Sequence, residues 1–242
     1  LVRREATGYG LVYYTELMLQ TRKESFEGKK VLVSGSGNVA IYAMEKVQQL
    51  GGKVIACSDS NGVIYDKDGI NIDTVKRIKE VEYKRIKEYV TYHKTAEYKE
   101  NGCIWDIPCD IAMPCATQNE LDEKQAGVLI KNGCICVTEG ANMPSTPGAI
   151  QLFQSSNILY APGKATNAGG VATSALEMQQ NACRDTWKFD YTDARLQTIM
   201  CDIHKTCYET AEEYGYKGNY LMGANIAGFT RVADAMIPLG LI

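Results

Sequence analysis

Hydrophobic and polar positions divide residues 30–58 into a strand, a helix and a second strand. A short apolar run at residues 30–34 precedes a helix-length stripe of apolar positions, which Gly51-Gly52 ends, and a second apolar run covers residues 53–58. Short runs of this kind are typical of strands that are buried on both faces of a parallel sheet. The order of the elements and their total length of about 30 residues predict one parallel crossover unit.

Nearly regular intervals separate three more strand-like runs in the middle of the chain, at residues 111–114, 134–138 and 158–161. Helix-length segments lie between them, and one carries Pro147 after Thr146, the order expected at the first turn of a helix. After residue 170 the pattern is helical to the end. The alternation predicts an α/β fold, Rossmann-like and doubly wound, with a mostly parallel sheet, flanking helices and a C-terminal helical segment.

Two segments lie outside this alternation. Residues 6–19 predict a first helix with Thr7 near its start, where a threonine can cap the helix. Residues 73–98 are rich in Lys, Glu and Tyr and predict polar surface helices. Three basic residues on these helices have two possible roles, since they could form part of a solvent-exposed helix face or provide cationic contacts to a ligand: Lys84, Arg85 and Lys87.

The glycine-rich turn after the first strand is the strongest local motif. Gly35 permits a tight turn out of the strand, Gly37 leaves room for a pyrophosphate beside the backbone, and Ala40 lets helix and strand pack closely. The start of the following helix supplies free N–H groups and a partial positive charge. Because a strand precedes the motif and a helix and a second strand follow it, the context favours a dinucleotide site over a plain strand–helix turn.

The end of the second strand bears on the choice of dinucleotide. Asp59 lies where an acidic residue usually binds the ribose hydroxyls of NAD, although it equally suits a turn cap. Ser60 and Asn61 follow it, and Ser36 lies between the two motif glycines, so small hydrogen-bonding side chains are available to a 2′-phosphate. The pattern favours NADP and leaves NAD possible.

Composition argues against several classes of function. The 242 residues carry a net charge of −3, without the basic excess typical of nucleic-acid binding, and no apolar stretch reaches the roughly 18 residues of a membrane span. The nine cysteines show no Cys-x-x-Cys spacing, and with only two histidines beside them the sequence predicts no metal site. Scattered cysteines indicate reduced thiols and hence a cytoplasmic protein. The chain begins at Leu1 and not at methionine, which indicates a piece of something longer.

Six short strings along the chain carry a family resemblance. They are REATGYG from Arg4, VSGSGNVA from Val33, PCATQNE from Pro114, EGANMP from Glu139, PGKATNAGG from Pro162 and GANIAGF from Gly223. Together, and in this order, they resemble the C-terminal coenzyme-binding domain of hexameric glutamate dehydrogenases of the small-subunit, NADP-linked type. The strings span nearly the whole chain, which makes the resemblance specific.

The resemblance implies a set of ligand contacts. Thr7 would bind the nicotinamide carboxamide, Asn38 the pyrophosphate and ribose, and Asn167 the nicotinamide side. With the glycine motif, the full set of coenzyme residues is Thr7, Gly35, Ser36, Gly37, Asn38, Val39, Asp59, Ser60, Ala116, Thr117, Gln118, Asn142 and Asn167. Val171 and Ser174, one helical turn apart, would contact the glutamate side chain, the serine through the γ-carboxylate.

The resemblance also implies the activity of the complete enzyme, which would interconvert L-glutamate and 2-oxoglutarate plus ammonia by hydride transfer. The lysine and aspartate that move protons in that family belong to an N-terminal substrate domain, which this sequence lacks. The isolated chain is therefore expected to bind coenzyme without turnover. Residues 1–242 would form the dinucleotide-binding domain, with hinge helices over about 171–242, and the complete protein would be a homo-hexamer.

Two other functions are also compatible with the sequence. Leucine and phenylalanine dehydrogenases share the architecture, but the hydroxyl of Ser174 argues against an apolar side-chain pocket. The chain also fits a non-catalytic nucleotide-binding module, which would bind NADPH tightly without any partner domain.

Overall fold

The computed structural model describes residues 3–240 and confirms the predicted alternation of strands and helices. The strands are β1 (Lys30–Val33), β2 (Lys53–Asp59), β3 (Gly62–Tyr65), β4 (Glu97–Glu100), β5 (Ile111–Met113), β6 (Cys136–Thr138) and β7 (Leu159–Ala161). The helices are α1 (Ala6–Gln20), α2 (Asn38–Gln49), α3 (Ile72–Lys76), α4 (Tyr89–Tyr92), α5 (Glu123–Lys131), α6 (Pro147–Ser155), α7 (Gly163–Thr166), α8 (Gly169–Cys183), α9 (Phe189–Glu213) and α10 (Tyr220–Leu239). A π-helical turn (Arg77–Val81) and two 3₁₀ turns (Ile86–Glu88 and Ile104–Asp106) also occur.

All of these strands join one sheet in the order β4-β3-β2-β1-β5-β6-β7. Strands β2, β1, β5, β6 and β7 run parallel, whereas β3 and β4 are antiparallel neighbours at one edge. The chain builds from β1 to β2 on one side and from β5 to β7 on the other, so the strand order reverses between β1 and β5. In open α/β sheets this reversal creates a crevice at the carboxyl ends, where ligands bind. The predicted Rossmann-like, doubly wound fold is confirmed.

Side chains of β1 point alternately into two cores that cover the two faces of the sheet. Val31 and Val33 belong to the core formed with α1, α2 and α9, and Leu32 to the core formed with α5 and α6. All three are fully buried, which explains the unbroken apolar run of this strand. The predicted start of α6 is confirmed, since Thr146 caps the helix with its side chain and Pro147 is the first helical residue.

The prediction of polar surface helices over residues 73–98 is only partly right. The segment contains α3, the π-helical turn, one 3₁₀ turn and α4, but its last residues enter the edge strand β4. Apolar side chains between its charged residues are buried in the core: Val75, Ile78, Ile86 and Tyr89. The hydrophobic pattern of the sequence does not predict strands β3 and β4. Because β4 is exposed and is held by backbone pairing with β3, its own side chains do not show a buried-strand pattern.

Helix α1 is buried on nearly every side, because α2, α8 and α9 all pack on it. Glycines permit these close crossings. A Cβ on Gly8 would lie 2.5 Å from Ala43 N in α2, and a Cβ on Gly10 would lie 3.0 Å from Gly169 Cα in α8. The first distance leaves no room for a methyl group, so the packing of α1 on α2 requires Gly8, whereas a methyl group at Gly10 would force the backbones of α1 and α8 slightly apart.

A histidine is buried among aromatic rings between α9 and the start of α10. Only 9% of His204 is exposed. Its Nε2 lies 3.0 Å from the Tyr220 hydroxyl, and its ring packs edge-on against Tyr14 with centroids 5.2 Å apart. Burial disfavours the charged imidazolium and lowers the pKa of His204 from 6.5 to about 4.

We expect His204 to make the fold less stable as the pH falls from 6.5 towards 4. Over this range the unfolded chain takes up a proton on His204 that the folded state, with its lower pKa, does not bind. The loss is complete once both states are protonated, and amounts to about 2 kcal/mol after allowance for partial exposure. Urea denaturation above pH 6.5 and near pH 4 measures it. His204→Gln should lose less stability with acid than the unmodified protein, and an equal loss would contradict this account.

Two kinds of feature are absent from the described part of the chain. Within residues 3–240, no helix is both long and apolar enough to cross a membrane. The same residues contain no group of three or more His, Cys, Asp or Glu side chains placed to hold a metal ion. The nine cysteines are all free thiols.

Candidate functional site

A cleft of about 520 Å³ opens at the carboxyl edge of the sheet, beside the crevice between β1 and β5. It brings together many of the residues that the sequence places at a ligand: Thr7, Val39, Ala116, Gln118, Asn142, Asn167 and Val171. Further lining residues that the sequence does not single out as ligand contacts are Cys115, Gly140, Ala141 and Gly170. These present main chain or a small side chain, so their residue types carry no chemical pattern that would identify them.

Thr7 reaches the cleft from the first turn of α1. Its interpretation as a helix cap is wrong, because α1 starts at Ala6 and its N-terminus has no side-chain cap. The Thr7 Oγ1 lies against Gly170 at the start of α8, where a Cβ would collide with it. Among the described residues this hydroxyl has no hydrogen-bond partner, so it is available to a ligand.

The two glycines of the turn between β1 and α2 have different purposes. Gly35 has a φ of +88°, and a Cβ there would lie 3.1 Å from Cys115 O, so the fold itself requires glycine. Its amide donates to Ser58 Oγ at 2.9 Å, which ties the turn to the end of β2. Gly37 has a φ of −88°, and a Cβ there would meet nothing within 4 Å. The space beside Gly37 is open to a ligand.

The N-terminus of α2 faces this open space. Asn38 and Val39 form its first turn, and no side chain caps their amides. Amides in the first turn of a helix lack partners within the helix and carry a partial positive charge, which favours an anion. Ser36 is buried, with 6% of its surface exposed. The turn therefore suits a phosphate held by backbone N–H groups.

A second polar corner lies at the carboxyl end of β2, next to the glycine turn. Arg85 Nη1 donates to Ser60 Oγ at 2.8 Å. Asp59 accepts hydrogen bonds from the Asn61 amide at 2.8 Å and from the Ile86 amide at 3.1 Å. The Asp59 carboxylate thus anchors the segment that brings Arg85 to Ser60.

The three basic residues of this segment do not all lie on a helix, although the sequence predicts that they do. Lys84 and Arg85 precede the 3₁₀ turn, and Lys87 lies within it. Lys84 Nζ is paired with Glu82 Oε2 at 3.2 Å, whereas Arg85 has no ion-pair partner among residues 3–240. A guanidinium beside a hydroxyl is suited to bind a phosphate, and Arg85 is the residue that the fold brings there.

The opposite end of the cleft presents two side-chain amides. Asn167, which ends α7, donates from Nδ2 to Asn142 Oδ1 at 2.8 Å. The same Nδ2 lies 3.4 Å from Gly140 O. These contacts hold two adjacent amide groups at the cleft, where they offer donors and acceptors to a polar ligand.

Two glutamates with little solvent access support the loops around the cleft, and no motif in the sequence gives either of them a role. Glu139, at the end of β6, accepts hydrogen bonds from the Tyr160 hydroxyl and the Gly163 amide, both at 2.8 Å. Glu120 accepts one from Ser34 Oγ at 2.9 Å. Burial raises the pKa of both carboxyl groups. Their roles depend on contacts between distant loops, which no local sequence pattern reveals.

The residues expected to contact the substrate lie at the start of α8. Val171 is 72% exposed and lines the cleft. Ser174 Oγ donates to Gly170 O at 3.2 Å, a bond back to the preceding turn of its own helix. Cys115 is buried, and burial raises its pKa, so it packs as a neutral thiol beside the cleft.

Comparison with known proteins places the sequence among amino-acid dehydrogenases. The family profile described as Glutamate/Leucine/Phenylalanine/Valine dehydrogenase matches residues 1–240. An NADP-specific glutamate dehydrogenase from Helicobacter pylori is 53% identical over 248 residues, and the Escherichia coli one is 53% identical over 244 residues. An NAD(P)-specific glutamate dehydrogenase from Xylanibacter ruminicola is also 53% identical. These matches cover 100% of this chain and 54–55% of the relatives.

Solved structures show the same fold. The glutamate dehydrogenase of Plasmodium falciparum superposes with a TM-score of 0.97 at 47% identity, over 100% of this chain and 52% of that one. The chain therefore spans about half the length of the relatives that it matches. Because the family profile covers nearly the whole sequence, the chain belongs to the glutamate/leucine/phenylalanine/valine dehydrogenase family.

Proposed function

We propose that this chain is the NADP(H)-binding domain of a glutamate dehydrogenase. The observation that carries the proposal is the joint presence of an open glycine turn at free helix amides and of Arg85 beside Ser60. They lie at the ends of the neighbouring strands β1 and β2, as the pyrophosphate and the 2′-phosphate of one coenzyme require. Relatives described as NADP-specific and NAD(P)-specific support NADP and leave NAD possible.

In this proposal the residues of the chain bind and orient the coenzyme. The nicotinamide ring, when bound, supplies the hydride chemistry. The amides of Asn38 and Val39 hold the pyrophosphate, and Arg85 with Ser60 holds the 2′-phosphate. The Thr7 hydroxyl, which lines the cleft, would bind the nicotinamide end of the coenzyme. The remaining coenzyme contacts predicted from the sequence stay part of the proposal: Gly35, Ser36, Gly37, Asp59, Ala116, Thr117, Gln118, Asn142 and Asn167.

The complete protein, in the same proposal, interconverts L-glutamate and 2-oxoglutarate plus ammonia. An N-terminal substrate domain brings the substrate to Val171, and the helices over about 171–242 act as the hinge. Ser174 has to turn away from Gly170 O to reach a γ-carboxylate. The chain by itself binds coenzyme without oxidising glutamate. A homo-hexamer remains a prediction from the resemblance, and a cytoplasmic location is supported by the free cysteines.

Arg85→Ala is expected to weaken NADPH binding by about 30-fold and to change NADH binding by less than about two-fold. A charge-assisted hydrogen bond from arginine to phosphate contributes about 2 kcal/mol, and only NADPH carries the 2′-phosphate. Fluorescence titration of the purified protein with each coenzyme measures both affinities. The same unmodified protein should show no glutamate-dependent reduction of NADP.

Lys87→Ala is the matched control, because it removes an exposed cation two residues away and should leave both affinities unchanged. Ser60→Pro, which removes the hydroxyl that contacts Arg85, should again weaken NADPH more than NADH. Absence of NADPH binding by the unmodified protein would contradict the proposed function. Equal losses for the two coenzymes would contradict the assignment of the 2′-phosphate to Arg85.

A further inference from the structure

Glu120 lies in the loop that follows β5 and does not line the cleft itself. Its Oε1 accepts three hydrogen bonds, from Ser34 Oγ at 2.9 Å, from the Ala116 amide at 3.0 Å and from the Thr117 amide at 3.3 Å. One carboxylate oxygen therefore satisfies donors from two separate segments. Removal of that oxygen leaves all three donors without this acceptor, which costs free energy wherever water does not replace it.

These bonds join the two sides of the crevice. Ser34 is the residue before the glycine turn, and Ala116 is a lining residue of the cleft. The Ser34 hydroxyl also accepts the Cys115 amide at 2.8 Å, so it links the end of β1 to the loop after β5. The two segments lie close together, since a Cβ on Gly35 would be 3.2 Å from Ala116 Cα. A small displacement of the loop would therefore change the shape of the phosphate turn.

The loop after β5 also helps to hold the loop after β6, which forms the neighbouring edge of the cleft. Asn119 has a φ of +56° and Met143 a φ of +50°, and the Asn119 amide donates to Met143 O at 3.0 Å. Residues other than glycine in this conformation cost of order 1 kcal/mol or more and persist only where their surroundings hold them. Asn142, which precedes Met143, lines the cleft. The anchoring of one loop by Glu120 thus contributes to the placement of both.

We propose that Glu120 is a positioning residue for the coenzyme, which acts through Ser34 and the amides of Ala116 and Thr117. This inference rests on the coenzyme function proposed above. The carboxylate holds the loop against the glycine turn before the coenzyme arrives, so binding does not have to order that loop. Loss of the Glu120 carboxylate should weaken coenzyme binding, because binding would then have to order the loop. The rate of hydride transfer should stay nearly unchanged, because Glu120 does not line the cleft.

Glu120→Ala in the full-length protein is expected to raise both the Kd for NADPH and the KM for coenzyme about ten-fold, with kcat within about two-fold at saturation. Glu120→Gln keeps an oxygen acceptor in the same place and should bind NADPH within about three-fold of the unmodified protein. Glu123→Ala is the matched control, since Glu123 is an exposed acid at the start of α5 and should leave binding unchanged.

A merely structural role predicts another result, a lower Tm with unchanged Kd and KM in the folded protein, and that result would overturn the proposal. Equal weakening by Glu120→Gln and Glu120→Ala would overturn it too, because the acceptor oxygen would then be irrelevant. Ser34→Ala tests the link: the double variant with Glu120→Ala should lose less affinity than the product of the single losses. If the loss of NADPH affinity in the double variant equalled the product of the two single losses, Glu120 would not act through Ser34. A failure of the unmodified protein to bind NADPH would instead refute the proposed function.

Discussion

Gly37→Ala should weaken NADPH binding by about 100-fold and cost the fold no more than about 1 kcal/mol, because Gly37 precedes α2 and alanine caps a helix less well than glycine. The φ of −88° at Gly37 is open to alanine, and the new Cβ would meet no protein atom within 4 Å. The fold therefore tolerates the methyl group, which occupies the space that the coenzyme phosphates need beside the α2 amides. Loss of close contact with the helix N-terminus corresponds to about 3 kcal/mol, hence the factor of about 100.

The measurement is an NADPH titration beside a thermal melt, with Gly35→Ala for comparison. Gly35 has a φ of +88° and packs against Cys115 O, so its replacement should lower both stability and binding. The contrast separates a glycine that the ligand requires from a glycine that the fold requires. Unchanged NADPH affinity in folded Gly37→Ala would contradict the assignment of the phosphate to this turn.

Gly8→Ala should destabilise the fold by about 3 kcal/mol, the upper range for overpacking of a core. The added Cβ would lie 2.5 Å from Ala43 N, 2.7 Å from Tyr42 C and 2.8 Å from Val39 O. These are backbone atoms of α2 and cannot rotate away as a flexible side chain does. For a chain of this size the loss corresponds to a decrease in Tm of about 9 °C.

Gly127→Ala provides the matched control for this result. Gly127 lies in α5, is exposed, and a Cβ there would meet nothing within 4 Å. The same change of residue should stabilise that helix by about 0.5–1 kcal/mol, because alanine restricts the unfolded chain more than glycine does. Calorimetric melts of the two variants should shift in opposite directions. A stable Gly8→Ala protein would show that α1 and α2 separate more easily than their packing indicates.

Burial explains which strands could be predicted. The parallel strands, such as β1 and β2, are enclosed on both faces, so they show short apolar runs between turn residues. Strand β4 (Glu97–Glu100) is mostly exposed and consists largely of charged residues. Backbone pairing with β3 holds it in the sheet. No periodicity in its own residues reflects that pairing. The sequence therefore does not predict the antiparallel edge of the sheet, although it predicts the central parallel strands and the order of strands and helices along the chain.

The candidate site divides in a similar way. The glycine turn and the helix after it are local, so their spacing along the chain predicts a phosphate site. Arg85 and Glu120 carry no such spacing. Arg85 reaches Ser60 because Asp59 anchors the segment before Ile86, and Glu120 reaches Ser34 across two neighbouring strands.

The amino-acid sequence alone determined the family, the α/β architecture and the position of the glycine turn, because each is recorded in short motifs and local hydrophobic patterns whose order along the chain can be read directly. The tertiary structure decided which polar groups meet. It showed that Asp59 is held by backbone amides, that Arg85 and not Lys84 is the cation beside Ser60, and that Glu120 joins two loops. Such contacts are set by the packing of segments distant in sequence, and a pattern along the chain does not record them.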